Sequence, residues 1–538
     1  MESHGAARNF TSLADAVKNA YAHDQEDERL EPIVVVQNNE PRGRFSDGDS
    51  IIFYDIRGER EIELSRALVE PGFQEFPIKK DLELSLATMI EYDKSLDAEV
   101  AFPPLGKIRD TLSHVLSKNS MRHAKIVESE KAVHLSYFFN GKSISKIPLE
   151  ERIIIQSKKV ATPDLLPAMN IDEVVKEVKK KIFDYETGVI IANLANVDVV
   201  GHIENEGAIL ASVEAVDKAL GEILETAGKE DVTAIITADH GTVESWLYPD
   251  GTIDTGHTGS PVPFIIVEPN DSILPGLEIK KGGELSDVAP TVLSILGIPK
   301  PDIMTGSSLI KGNPYDSLNK KKRMLLLILD GWGANDAEKG NLIFKAQTPT
   351  MDSLKEKYPS TRLSASGEAV GMPKGSVGNS EVGHLHLGSG RRIPSDRVRI
   401  DSAIAHGSFF KNSAFISAME NAKAAGKNLH LLGIVSFYSS HGSIEHLYAL
   451  LKMAKEQGVD RVFIHGFLGR RGEHAQSGAR YVHDIEEYTK KLNLGEMVTV
   501  IGRHWALDRE HNWDRVKKTY DALVLGKGNL VALENDNR

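Results

Sequence analysis

Apolar residues along this chain gather into short unbroken runs separated by amphipathic stretches, the pattern of a parallel sheet whose strands are covered on both faces. In the first hundred residues, 33–36 and 50–57 read as strands, the second by its β-branched and aromatic content, and a helical segment follows to Leu68. From Val100 onward strand and helix alternate. The pattern predicts a helix near 108–117 and strands over 124–127, 133–139 and 188–194. Ile209, Leu210, Val213, Val216, Leu220, Ile223 and Leu224 keep a 3.6-residue period and predict a helix whose stripe is core. Strands at 232–237 and 263–267 precede a short helix from Ser286 to Leu296, stopped by Gly297 and Pro299. A polar, breaker-rich stretch, 311–323, leads to a new strand at 324–329. Alternation resumes at Asn428 with strands 429–435, 462–468 and 497–501 and helices near 444–457, 479–492 and 512–523. The fold class expected is α/β. With 538 residues the chain exceeds one ordinary core, so two domains are expected.

Composition narrows the chemistry. A net charge of -13 opposes binding to nucleic acid or anionic membrane surfaces, so neither is expected as a partner, and an anionic substrate needs a local arginine cluster. With no cysteine, disulfides, thiolate catalysis and Cys-based metal sites are excluded. Any metal must be held by oxygen and imidazole. The N-terminus has no charged-then-apolar pattern and the longest apolar run, 324–329, is far short of a bilayer span, so a cytoplasmic protein is expected.

Candidate chemistry sits at strand ends. Asp198 and His202 are four apart and can face one point. Asp239 and His240 are adjacent at the end of 232–237, Asp330 tips 324–329, and His257 lies in a loop. Together they describe a mixed O/N site suited to Mn²⁺ or Zn²⁺. Two such metals about 3.5–4 Å apart can activate a hydroxyl and brace both oxygens of a phosphoryl transfer. Ser380, in Gly378-Asn379-Ser380-Glu381-Val382-Gly383-His384, stands between a glycine-rich turn and a helix start, where backbone N–H groups favour a developing anion. An isolated Ser-x-x-Gly is more often a plain helix cap. The aspartates and histidines elsewhere make it a candidate nucleophile. Arg57, Arg60, Arg471, Arg503 and Arg509, near other strand ends, offer forked donors for phosphate or carboxylate.

These motifs, with Leu327-Ile328-Leu329-Asp330-Gly331-Trp332-Gly333, Ala238-Asp239-His240-Gly241 and Gly201-His202, resemble the cofactor-independent (2,3-bisphosphoglycerate-independent) phosphoglycerate mutases of the alkaline phosphatase superfamily. The likeness covers nearly the whole chain, but in rotated order: the Asp-Gly-Trp-Gly strand opens the family's chain and here follows residues 304–310, which match its close. A circular permutation is therefore expected, with 311–323 as the joint. The resemblance implies an alkaline-phosphatase-like metal domain over 106–393 and a second α/β substrate domain built from 1–105 together with 396–538.

Position by position, the resemblance implies one metal on Asp198, His202 and His257 and another on Asp330, Ser380, Asp239 and His240, with Mn²⁺ first and Zn²⁺ or Co²⁺ as alternatives. It implies Ser380 as the phosphoryl acceptor, Lys131 beside the phosphoryl group, His441 as a second-domain catalytic histidine, and Arg57, Arg60, Arg471, Arg503 and Arg509 as substrate ligands. A small phosphorylated anion is the implied partner, and a monomer is expected. The activity implied is interconversion of 3- and 2-phosphoglycerate through a phosphoserine. The alternative is a same-superfamily phosphomutase or phosphatase for another phosphorylated or phosphonate hydroxy acid, and a silent binding protein is a third reading. The pattern departs at 436–443, at Gly472, where the family has an aspartate, and at Asp55, Ile56 and Glu59. These changes fall in the glycerate-recognising half, whereas the metal and nucleophile set is intact.

Overall fold

The computed structural model describes residues 7–158, 160–269, 277–312, 315, 322–424, 426–436, 441–469 and 474–534. The chain divides into two compact units, Leu105–Val398 and a second made of Met1–Pro104 with Arg399–Arg538.

The Leu105–Val398 unit is a seven-stranded sheet in the order Ser360–Leu363, Val262–Val267, Val232–Thr237, Arg323–Leu329, Val189–Leu194, His123–Glu128, Glu150–Ile155. The last five run parallel, and Val262–Val267 runs antiparallel to both of its neighbours. The central strands are apolar throughout because both faces are covered: all six residues of Val189–Leu194 and of Val232–Thr237 are buried. The helix Glu206–Lys229 begins where the Asn205 side chain accepts the Ala208 N–H, and it buries Ile209, Val213, Val216, Leu220 and Ile223. Strand register brings the C-terminal ends of the parallel strands to one edge, where open α/β sheets place ligands.

The other unit holds a ten-stranded sheet ordered Arg8–Phe10, Asn529–Leu533, Ile33–Gln37, Glu496–Gly502, Val462–Leu468, Leu429–Ile434, Ser50–Phe53, Ser85–Ile90, Glu99–Phe102, with Glu40–Pro41 paired to Ile33–Gln37. Strands from the two ends of the sequence interleave in it. Along Ser50–Phe53 and the next residue, Ile51 and Phe53 enter one apolar layer and Ile52 and Tyr54 the opposite one, the period of two that a two-faced sheet requires. Ser85–Ile90 and the edge strand Glu99–Phe102 escape the sequence pattern because polar residues interrupt them.

One expected strand is corrected. Residues 133–139 alternate apolar and polar side chains, yet His134–Phe138 form a wide helical turn. Leu135 and Phe139, four apart and fully buried, point into the core together, and the turn packs on the helix Ser380–Ser389. Tertiary packing overrides the local period.

Leu327 is fully buried in the middle strand of the seven-stranded sheet. Leu327→Ala is expected to cost about 2–5 kcal/mol of unfolding free energy, read from denaturant titration; a loss below ~1 kcal/mol would contradict this placement.

Candidate metal centre

Ser380 is the first residue of the helix Ser380–Ser389, and the cap is Asn379, whose side chain accepts the Val382 N–H at 3.0 Å. The serine hydroxyl is thus spared for other work at the positive end of the helix. Gly383 lets this helix lie against the Asp239 strand end, since a Cβ there would stand 2.5 Å from the Asp239 carbonyl oxygen.

Lys131 ends the turn after His123–Glu128, and its three ammonium protons are all committed. Nζ lies 2.6 Å from Asp198 Oδ2, 2.8 Å from Asp330 Oδ1 and 2.6 Å from Ser380 Oγ. His240 Nε2 is 2.9 Å from the same Oγ, and Asp330 Oδ1 is 3.3 Å from it. Burial works against the Lys131 charge, but Asp330, Asp198 and Asp239 outweigh it and raise the ammonium above the ordinary lysine range.

Around this serine stand two groups of carboxylate and imidazole acceptors. His202 Nδ1 faces the Thr255 carbonyl at 2.8 Å and His257 Nδ1 faces that of Gly378 at 3.0 Å. Each Nδ1–H donates to its carbonyl, which leaves both Nε2 lone pairs bare. Those two nitrogens sit 3.2 Å apart, and 3.3 and 3.1 Å from Asp198 Oδ1. On the other side, His240 Nε2 is 3.6 Å from both Asp239 Oδ2 and Asp330 Oδ1. Asp239 Oδ2 is buried and accepts no hydrogen bond: His384 Nδ1 lies 3.1 Å away but donates to the Ser380 carbonyl at 3.0 Å. Among the described residues, Asp198, His240 and His257 form one cluster able to hold an ion, and Asp239, His240 and Asp330 form another.

The charge count points the same way. Asp198, Asp239 and Asp330 are buried together against one ammonium, and burial with the Asp239 charge pushes the Asp330 carboxyl up. Lone pairs at contact distance and surplus buried negative charge both fit divalent cations with O/N ligands.

The structure thus brings together Asp198, His202, Asp239, His240, His257, Asp330, Ser380 and Lys131. Sequence reasoning missed Asn193, whose amide donates to Asp330 Oδ2 at 2.7 Å and to His384 Nε2 at 3.0 Å. Its signal was a polar residue inside the apolar run Val189–Leu194.

The remaining candidates lie in the other unit. Arg57 Nη2 and Arg509 Nη1 share Glu59 Oε1 at 2.8 and 2.9 Å. Arg60 Nη1 donates to the Leu507 carbonyl at 3.1 Å, and Arg503 Nη2 is 3.4 Å from His441 Nε2. Glu61, which sequence reasoning did not select, meets His441 Nδ1 at 2.8 Å. Arg471 lies outside the described residues, as do Phe437 to Ser440 and Gly472.

A model described as the Metalloenzyme superfamily matches residues 28–300, just over half of the chain, and one described as the BPG-independent PGAM N-terminus matches residues 400–537. The 2,3-bisphosphoglycerate-independent phosphoglycerate mutase 1 of Methanosarcina barkeri is 46% identical over 206 residues, covering 38% of this chain and 40% of its own length. The corresponding Clostridium botulinum enzyme is 38% identical over 309 residues, covering 57% and 59%. The matched stretch therefore spans less than two thirds of either relative. A solved structure of Leishmania mexicana phosphoglycerate mutase at low cobalt concentration is 25% identical over 57% of this chain and 59% of that one, with a TM-score of 0.37.

Mn²⁺ at a hundredfold excess over Kd is expected to stabilise the chain by about 2.7 kcal/mol per site, raising the calorimetric unfolding midpoint. His257→Ala is expected to remove one class of binding site in isothermal titration. A midpoint indifferent to saturating Mn²⁺ would rule the clusters out as metal sites.

Proposed function

The chain belongs to the Metalloenzyme superfamily, and from that premise we propose that it is a cofactor-independent phosphoglycerate mutase, interconverting 3- and 2-phosphoglycerate by way of a phosphorylated Ser380. The observation that carries the reading is the setting of Ser380 Oγ: at a helix N-terminus, 2.6 Å from an ammonium and 2.9 Å from an imidazole, beside two clusters of side chains able to hold an ion.

In this reading Asp198, His202 and His257 would hold one divalent ion, and Asp239, His240, Asp330 and Ser380 a second. Bound there, such ions lower the pKa of a hydroxyl and offset charge on phosphoryl oxygens, Mn²⁺ being the first expectation. Ser380 Oγ forms a bond to phosphorus as the bond from phosphorus to the substrate oxygen breaks. The glycerate reorients, and its neighbouring hydroxyl oxygen takes the phosphoryl group back from Oγ. Lys131 shares its charge with the transferred group, replacing part of what it gives Asp198 and Asp330. Arg57, Arg60, Arg503 and Arg509 recognise the anion, and Arg471 and His441 complete that set. The Leu105–Val398 unit performs the phosphatase-like chemistry and the other unit recognises substrate.

We also infer a circular permutation. It is supported by the PGAM N-terminus model matching at residues 400–537 and by the middle strand Arg323–Leu329 arriving after both of its neighbours, Val189–Leu194 and Val232–Thr237. Exposed joints make such rearrangements cheap. A monomeric, cytoplasmic, glycolytic enzyme fits this reading, and no helix among the described residues is long and apolar enough to cross a membrane.

Ser380→Ala is expected to lower conversion of 3- to 2-phosphoglycerate by roughly 10⁴-fold or more in an enolase-coupled assay, with Mn²⁺ uptake retained. Wild-type protein that releases inorganic phosphate and forms no 2-phosphoglycerate would instead identify a phosphatase.

A further inference from the structure

Asn193 is a polar residue that the apolar strand Val189–Leu194 does not need for its core. It is fully buried, and its side-chain oxygen finds no donor among the described residues. A buried carbonyl left unpaired disfavours folding, and a leucine there would fill the strand without that loss. What the amide gains is two donations from one nitrogen: Nδ2 lies 2.7 Å from Asp330 Oδ2 and 3.0 Å from His384 Nε2. Strand register sets the first of them. Asn193 pairs with Ile328, and the period of two brings Asp330 to the same face.

The partners fix which way the amide faces. Turned over, it would set its oxygen against a carboxylate oxygen, acceptor against acceptor. The NH₂ group therefore faces Asp330, and since the same nitrogen meets His384, Nε2 accepts and the ring carries its proton on Nδ1. That Nδ1–H donates to the Ser380 carbonyl at 3.0 Å. His384, fully buried, thus has both ring nitrogens engaged, although Nδ1 stands 3.1 Å from Asp239 Oδ2. With Asp330 Oδ2 held by Asn193, Oδ1 is turned to Lys131 Nζ at 2.8 Å, Ser380 Oγ at 3.3 Å and His240 Nε2 at 3.6 Å.

We propose, resting on the metal assignment made above and deepening it, that Asn193 is a positioning residue for the cation site of Asp239, His240, Asp330 and Ser380. One amide proton holds Asp330 with Oδ1 toward that site. The other occupies His384 Nε2, which keeps this imidazole out of the ligand set and its Nδ1–H on the Ser380 carbonyl. The bridge from Asp330 through Asn193 and His384 to Ser380 ties a strand end to the first turn of the helix, so the carboxylate and the hydroxyl are fixed relative to each other.

Isothermal titration of chelator-stripped full-length protein with Mn²⁺, in the His257→Ala background, reads this site alone. There Asn193→Leu is expected to weaken Mn²⁺ binding by about 10–100-fold. With His257 intact, the same substitution should leave the class held by Asp198, His202 and His257 at its wild-type affinity. Unfolding midpoints of the metal-free variants establish that they are folded. An equal loss in both classes, which general loosening of the strand would give, overturns the proposal. Nitrogen-15 NMR of histidine-labelled wild-type protein, with His384→Gln to assign the signal, tests the same bridge with Asn193 in place. A neutral Nδ1–H ring is expected, and an Nε2–H ring overturns the proposal. Mn²⁺ uptake indifferent to Asn193→Leu overturns this proposal and leaves the metal assignment standing; no uptake by the wild-type protein overturns both.

Discussion

Everything at the Ser380 site depends on surplus negative charge held away from water. Asp198, Asp239 and Asp330 arrive from three parallel strand ends, and one ammonium, that of Lys131, answers them. A protein interior tolerates such a surplus where cations complete it or a proton neutralises part of it. The strand register, the glycine contact of the Ser380–Ser389 helix and the carbonyls behind His202 and His257 all serve to aim lone pairs at that deficit. The same arrangement leaves a serine hydroxyl among groups that favour its anion.

The other unit solves the opposite problem. There the arginines supply positive charge, and Glu59 spreads it between Arg57 and Arg509. A protonated histidine among them would add repulsion, and His441 is kept neutral by burial and by its cationic neighbours. One unit thus gathers acceptors around a serine hydroxyl, while the second gathers arginine donors.

Much of the side-chain cluster around Ser380 was legible in the sequence because charge at the end of an apolar run is conspicuous. Asp330 after 324–329 and Asp239-His240 after 232–237 break patterns that are otherwise continuous. Ser380 was legible from its place between a glycine-rich turn and a helix start, and its neighbour Asn379 took the capping role that a lone serine would have had. What stayed hidden required three dimensions. The turn His134–Phe138 has a strand-like alternation and is bent by what it packs against. Glu61 and His441 come from distant parts of the chain, and nothing local reports that they meet.

The interleaving of early and late strands in the ten-stranded sheet bears on how the polypeptide is born. Ser50–Phe53 finds a partner in Leu429–Ile434, and Arg8–Phe10 in Asn529–Leu533. A nascent chain synthesised at roughly 5–20 residues per second leaves its first hundred residues waiting while about 430 more emerge, roughly 20–90 s, before the last strand can dock. During that interval the β-branched stretch Ile33–Gln37 lacks its late partner Asn529–Leu533, an exposure that the finished sheet no longer reveals.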